Sequence, residues 1–169
     1  MPKLRLLVTD KCNRSCQGCC NKQWDLANLP ICKDFRGYDQ ILLTGGEPML
    51  HIAQLINTIG TIRKQTNTPI YLYTAKADHP TFLNVVLTLV DGITLTLHDK
   101  SDIEPFLALQ EYLKYHKPES KSLRLNIFHP ISLAPEQLVG WQVKPDMIWI
   151  EDCPLPTDET FMRLENLHS

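Results

Sequence analysis

The amino-acid sequence predicts an α/β fold with parallel strands, and two observations carry that expectation. The first is a set of six short runs rich in β-branched or apolar residues, at 4–9, 40–44, 70–74, 93–97, 123–128 and 147–150. Most are continuously apolar rather than alternating, which suits strands covered on both faces by helices. The second is the spacing of apolar residues between them. Ile52, Leu55, Ile56, Ile59 and Ile62 recur every three or four positions and make one helical face, as do Phe82, Val85, Val86 and Leu89. Ile103, Phe106, Leu107 and Leu113 continue the pattern less regularly. Pro48, Pro80 and Pro105 fall near the expected first turns, where proline costs little. Further helices are expected after Pro135 and Glu159, and residues 20–38 read as irregular.

Strand and helix alternating in this way give, under the right-handed crossover rule, a parallel barrel or an open α/β sheet. A closed eight-stranded barrel typically takes about 250 residues. This chain has 169 residues, so six strands predict a partial (β/α)6 barrel. It should be laterally open, with the first and sixth strands as its edges. The length suits one domain over residues 1–169.

Composition excludes several classes. The 17 basic and 19 acidic residues leave a net charge of -2, and neither sign forms a block, so no nucleic-acid or membrane footprint is visible. The longest apolar runs, such as Val85-Val86-Leu87, fall far short of the roughly 20 residues a transmembrane helix requires. Met1-Pro2-Lys3-Leu4-Arg5 lacks the apolar core of a signal peptide, so a cytoplasmic location is expected. In that compartment six cysteines point to metal binding or catalysis rather than to a disulfide framework.

Three of them stand together. Directly after the first expected strand comes Cys12-Asn13-Arg14-Ser15-Cys16-Gln17-Gly18-Cys19-Cys20, in which the spacing C-x-x-x-C-x-x-C puts three thiolates in one loop. Thiolate is the ligand that iron-sulfur clusters prefer, and a fully coordinated [4Fe-4S] cluster takes four. Three ligands leave one iron open, which is how a metal site becomes catalytic. The competing reading is zinc, which normally takes two C-x-x-C pairs or a four-membered cysteine-histidine set.

The second expected strand runs into Gly45-Gly46-Glu47-Pro48. A glycine pair at a strand end lets a ligand approach the backbone, and a carboxylate there can meet a cation. An ordinary βα turn whose glutamate starts a helix has the same sequence.

With both motifs in this order, each at the end of an expected strand, the chain resembles the radical S-adenosylmethionine (SAM) superfamily. The resemblance implies a barrel of the radical SAM type with two cofactors, a [4Fe-4S] cluster and S-adenosyl-L-methionine. It implies that Cys12, Cys16 and Cys19 each hold one iron, while the amine and carboxylate of SAM chelate the fourth. It implies further that Gly45, Gly46, Glu47 and Pro48 bind the methionine part of SAM, the glutamate against its ammonium. The reaction implied is reductive cleavage of SAM to a 5'-deoxyadenosyl radical, which abstracts hydrogen from a substrate. The electron donor would be flavodoxin- or ferredoxin-like.

One position departs from the family pattern. Where the family has an aromatic residue against the adenine, just before the third cysteine, this chain has Gly18. Trp24 is a candidate substitute by its nearness in sequence. Weaker resemblances follow in Tyr73-Thr74-Ala75-Lys76, Thr96-Leu97-His98-Asp99 and Asn126, all at ends of expected strands, where α/β barrels place their chemistry. They make Thr74, Thr96 and Asn126 candidates for contacts to the ribose or carboxylate of SAM, although polar residues satisfied at strand ends read the same way. His98 and His129 receive no role. The spacings of Cys20, Cys32 and Cys153 match no compact cluster motif, and Cys153 is a candidate catalytic thiol. By resemblance the substrate is a peptide or protein, as for activases and peptide-modifying members, or a small nucleoside-like molecule. A non-catalytic iron-sulfur or zinc protein is the reading from another class.

Overall fold

The computed structural model describes residues 2–16 and 18–169; Met1 and Gln17 lie outside them. The strands are β1 (Lys3–Thr9), β2 (Ile41–Gly45), β3 (Ile70–Thr74), β4 (Gly92–Leu97), β5 (Ser122–Phe128), β6 (Gln142–Met147) and β7 (Glu159–Arg163). The α-helices are α1 (Ile52–Gln65), α2 (Pro80–Leu89) and α3 (Ile103–His116). The strands hydrogen-bond in the order β6-β5-β4-β3-β2-β1-β7, an open parallel sheet. The chain is therefore α/β with parallel strands, as its sequence predicts. It divides into two compact units, Met1–Tyr71 with Trp149–Ser169, and Leu72–Ile148, and β3 runs across the boundary between them.

In the first unit, Leu4, Leu6, Leu7 and Val8 of β1 and Ile41, Leu42 and Leu43 of β2 are buried, as the continuous apolar runs require. Helix α1 buries Leu55, Ile59 and Ile62, the expected face. The helix expected after Glu159 is instead strand β7, in parallel register with β1 from Lys3↔Glu159 to Leu7↔Arg163. Thr160 and Phe161 favour a strand. The Arg5 Nε–Glu159 Oε2 ion pair, at 2.6 Å, fixes the register. Since β7 pairs with β1, the first strand is not an edge, contrary to the expectation.

In the second unit, β4, β5 and β6 pair in parallel. Helix α2 buries Leu83, Val86 and Leu87 and leaves Phe82 and Val85 exposed. The expected face was therefore turned, because this helix is apolar nearly all round and spacing alone does not select the buried side. Helix α3 buries Phe106, Leu109 and Leu113. The sixth strand lies earlier than expected, sharing only Met147 with the 147–150 run. Its sequence, Gln-Val-Lys-Pro-Asp-Met, is mostly polar and exposed, which fits a sheet edge where Pro145 is tolerated. Ile148 and Ile150 are exposed outside any strand. After Pro135 there is one 3-10 turn, Pro135–Gln137, rather than a helix. Among the described residues no helix is long and apolar enough to cross a membrane.

Candidate functional site

The two sequence motifs meet in the first unit. Strand β1 ends at Thr9, paired with Gly45 at the end of β2. Beyond the strands two further backbone bonds join the loops, from the Gly46 amide to the Thr9 carbonyl at 2.9 Å and from the Glu47 amide to the Lys11 carbonyl at 2.8 Å. The entrance to the cysteine loop is thus fastened to the Gly-Gly-Glu-Pro turn. A Cβ on Gly45 would run into the Thr9 carbonyl oxygen, and one on Gly46 into the Lys11 carbonyl and, at 3.0 Å, the Cys12 Cβ. The glycines are therefore required first by backbone approaching backbone, where the sequence offered either room for a ligand or an ordinary turn.

Glu47 is 3% exposed. Its Oε1 accepts the Met49 amide at 3.1 Å and so caps the 3-10 turn Pro48–His51 that leads into α1. Pro48 occupies the first turn and is buried. The ordinary turn reading and the ligand reading of this motif therefore share one carboxylate.

The loop itself is held by short polar contacts. The Cys19 amide donates to the Cys16 carbonyl at 3.2 Å, and Lys22 Nζ donates to the same carbonyl at 2.9 Å. Asn21 Nδ2 donates to the Gly45 carbonyl at 2.6 Å, a second tie between the two motifs. Cys12, Cys16 and Cys19 stand outside any disulfide, with Cys12 exposed and the other two half-buried. Three thiols within one loop supply the donor set of an iron-sulfur cluster, and this chemistry fits the cofactor. Among the described residues no three His, Cys, Asp or Glu side chains converge into a metal-binding group, so the thiols share a loop without meeting at a point.

Two other cysteines depart from the expectation of a chain without disulfides, because Cys20 and Cys153 are bonded to each other. The bond occupies the Cys153 sulfur that the sequence offered as a catalytic thiol. Cys32 is buried, donates from Sγ to the Asp34 carbonyl at 3.3 Å, and has its pKa pushed up by that burial.

Trp24 does not lie on Gly18. It packs edge-on against Phe161, with centroids 5.0 Å apart, and its Nε1 donates to the Cys153 carbonyl at 3.1 Å. The aromatic group at Gly18 is Trp149, whose ring atoms occupy the space a Cβ there would need. Sequence reading missed it because 130 residues separate the two positions. The sequence signal, a tryptophan between Ile148 and Ile150, read instead as part of an expected strand.

The end of β1 has one more neighbour. The His168 amide donates to the Val8 carbonyl at 2.8 Å, and Thr9 Oγ1 donates to the His168 carbonyl at 2.9 Å. The buried imidazole meets Thr58 Oγ1 of α1 through Nε2 at 2.9 Å, which seats the C-terminal segment against β1 and α1.

The remaining candidates belong to the second unit. Thr74 is buried at the end of β3, and its Oγ1 accepts the Lys76 amide at 3.0 Å. Thr96 and Asn126 are register partners on β4 and β5, so their side chains share one face of the sheet. Past Thr96, His98 stacks on Phe128 with centroids 5.1 Å apart. The Asp99 and Asp102 carboxylates form a capping box on the 3-10 turn Lys100–Asp102 that leads into α3. These aspartates therefore have a structural task. His129 is exposed, 3.9 Å from Asp146.

Compared with models of protein families, with curated proteins and with solved structures, the chain has no match in any of the three.

Proposed function

We propose that this chain is a radical SAM enzyme, with Cys12, Cys16 and Cys19 as the ligands of a [4Fe-4S] cluster. The observation that carries the reading is the junction of the two motifs. Two backbone hydrogen bonds, a glycine contact and the Asn21 amide hold the thiol loop against the Gly-Gly-Glu-Pro turn. Neither motif is specific alone, since the first also suits zinc and the second an ordinary turn. Their joining brings three thiols and a buried carboxylate into one region of one unit.

Cys12, Cys16 and Cys19 would hold the cluster, which when bound would supply the electron for reductive cleavage of SAM and so the hydrogen-abstracting chemistry. The chain's own residues bind and orient. Gly45 and Gly46 let the turn approach the backbone of the thiol loop, and Glu47 would place a negative charge against the ammonium of the SAM methionyl moiety. Burial strengthens that attraction, because few water dipoles screen it. Trp149 offers an aromatic face for the adenine beside Gly18, a part for which sequence made Trp24 a candidate.

The test is anaerobic reconstitution with iron and sulfide, followed by incubation with SAM and dithionite and mass spectrometry for 5'-deoxyadenosine. The expected result is an oxygen-sensitive cluster and deoxyadenosine in the wild type, and neither after Cys12→Ala, Cys16→Ala or Cys19→Ala. Full iron and sulfide content in the triple variant would remove the assignment, and bound zinc without iron would favour the metal-binding alternative. The substrate is proposed to be a peptide or protein segment, with a small nucleoside-like molecule as the alternative. Strand β7 covers the β1 edge that was expected to stand open, and fractionated extract separates the two substrate classes. Stimulation of deoxyadenosine formation only by the fraction below about 1 kDa, the size of small ligands, selects the nucleoside-like class.

A further inference from the structure

The disulfide joins the residue next to Cys19 to a segment distant in sequence, Cys20 and Cys153 being 133 positions apart. Three contacts hold residues 149–153 on the cysteine loop: the disulfide, the Trp24 Nε1 bond to the Cys153 carbonyl at 3.1 Å, and the Trp149 ring over Gly18. The strap these residues form is otherwise unlike a core segment. Trp149 is 40% exposed and Ile150 61% exposed. Asp152 and Cys153 have φ of 62° and 39°, left-handed values that residues other than glycine keep when their surroundings impose them.

We propose that Cys20 and Cys153 are a reversible thiol-disulfide pair, and that their bond closes the 149–153 strap over the loop carrying Cys12, Cys16 and Cys19. Its regulatory meaning rests on the cluster reading, while the opening and closing of the strap does not. The oxidant is a small-molecule disulfide. The Cys20 thiolate, the less buried of the two, attacks one of its sulfurs and expels one thiolate; the Cys153 thiolate then attacks the mixed disulfide at Cys20 and expels the second. The two protons lost by the cysteines end on the two expelled thiolates. The cysteine pair is oxidised by two electrons and the small disulfide is reduced by two. Under reducing conditions the same steps run backwards, and the strap loses its covalent tie to the loop while keeping the Trp24 hydrogen bond and the Trp149 contact. The Cys12, Cys16 and Cys19 thiols are then open to loading, and an oxidant closes the strap over them.

The full chain and a Cys12→Ala/Cys16→Ala/Cys19→Ala variant are equilibrated in buffers from reduced to oxidised glutathione, alkylated, digested, and searched by mass spectrometry for the Cys20–Cys153 linked peptide. Brief chymotrypsin treatment of each state reads cleavage after Trp149. The linked peptide should appear with oxidised and vanish with reduced glutathione in both proteins. Reduction should speed cleavage roughly tenfold, the factor that about 1.4 kcal/mol of easier opening gives. Cys153→Ser should be cleaved at the fast rate in either buffer. Absence of the linked peptide in oxidised glutathione, or equal cleavage in both states, overturns the proposal. In the wild type, iron uptake should be several-fold slower from the oxidised state. A strap that cycles in the triple variant while the wild type takes up no cluster leaves this proposal standing and removes the cluster reading; a wild type that loads its cluster without the strap cycling does the reverse.

Discussion

The Glu47 amide donates to the Lys11 carbonyl at 2.8 Å, one residue before Cys12, and Gly46 lies against that same carbonyl. Gly46→Ala would drive a methyl group into peptide backbone, which yields less easily than a side chain. The expected cost is about 1–3 kcal/mol, the range for overpacking a closely fitted site. Gly60 is the control, because it lies within α1 and a Cβ there meets nothing within 4 Å. Gly60→Ala should stabilise by roughly 0.5–1 kcal/mol. Urea midpoints of the two variants should therefore move in opposite directions, and only Gly46→Ala should lower iron incorporation.

Glu47 caps its turn through Oε1, and an amide oxygen accepts the Met49 hydrogen bond as a carboxylate does. Glu47→Gln thus keeps the cap and removes the charge. The expected outcome is normal iron content and SAM affinity weakened roughly 10- to 100-fold, as for a lost charged hydrogen bond of about 1.5–3 kcal/mol. Glu47→Ala should also lose the cap, at about 1 kcal/mol of stability. Unchanged SAM affinity in calorimetry would leave Glu47 with its structural task alone.

The sequence reveals those features that are local. Strands β1 to β5 and helix α1 announce themselves because each run carries its own period and its own flanking breakers. Strand β6 does not, since an edge strand buries little and Pro145 argues against it. Strand β7 is short and half-exposed, and its place is settled by Arg5, a partner on the other side of the chain's length. The site divides along the same line. The thiols and the Gly-Gly-Glu-Pro turn are each legible from spacing, whereas Trp149 over Gly18 and the Cys20–Cys153 bond depend on contacts that no spacing encodes.

Trp149 and Trp24 should separate by what their loss affects. Trp149→Ala removes the ring over Gly18 and should weaken SAM by roughly tenfold or more, as base stacking on an aromatic side chain is worth about 1–3 kcal/mol. Cluster content should stay normal. Trp24→Phe keeps a ring beside Phe161 and loses the hydrogen bond to the Cys153 carbonyl. Its expected effect is about 1 kcal/mol of stability with SAM affinity unchanged. Calorimetric titration of both variants decides which indole faces the ligand.

His168 gives the chain a pH dependence whose sign follows from burial. Desolvation first, and the neighbouring His51 second, hold its imidazole below the usual 6.5. An unfolded chain takes up this proton near pH 6.5, while the folded chain takes it up only at a lower pH. Between those two values the unfolded state binds more protons, so stability rises with pH. The contribution is fully present above about 6.5, falls as the pH drops below it, and levels off below the folded pKa. Each unit of depression corresponds to about 1.4 kcal/mol. His168→Gln retains a nitrogen for Thr58 Oγ1 and removes the titration. Urea midpoints measured from pH 7.5 down to pH 5 should fall more steeply for the wild type than for the variant. Parallel curves would mean that His168 does not control this response, and that the C-terminal segment is held by its backbone bonds to Val8 and Thr9.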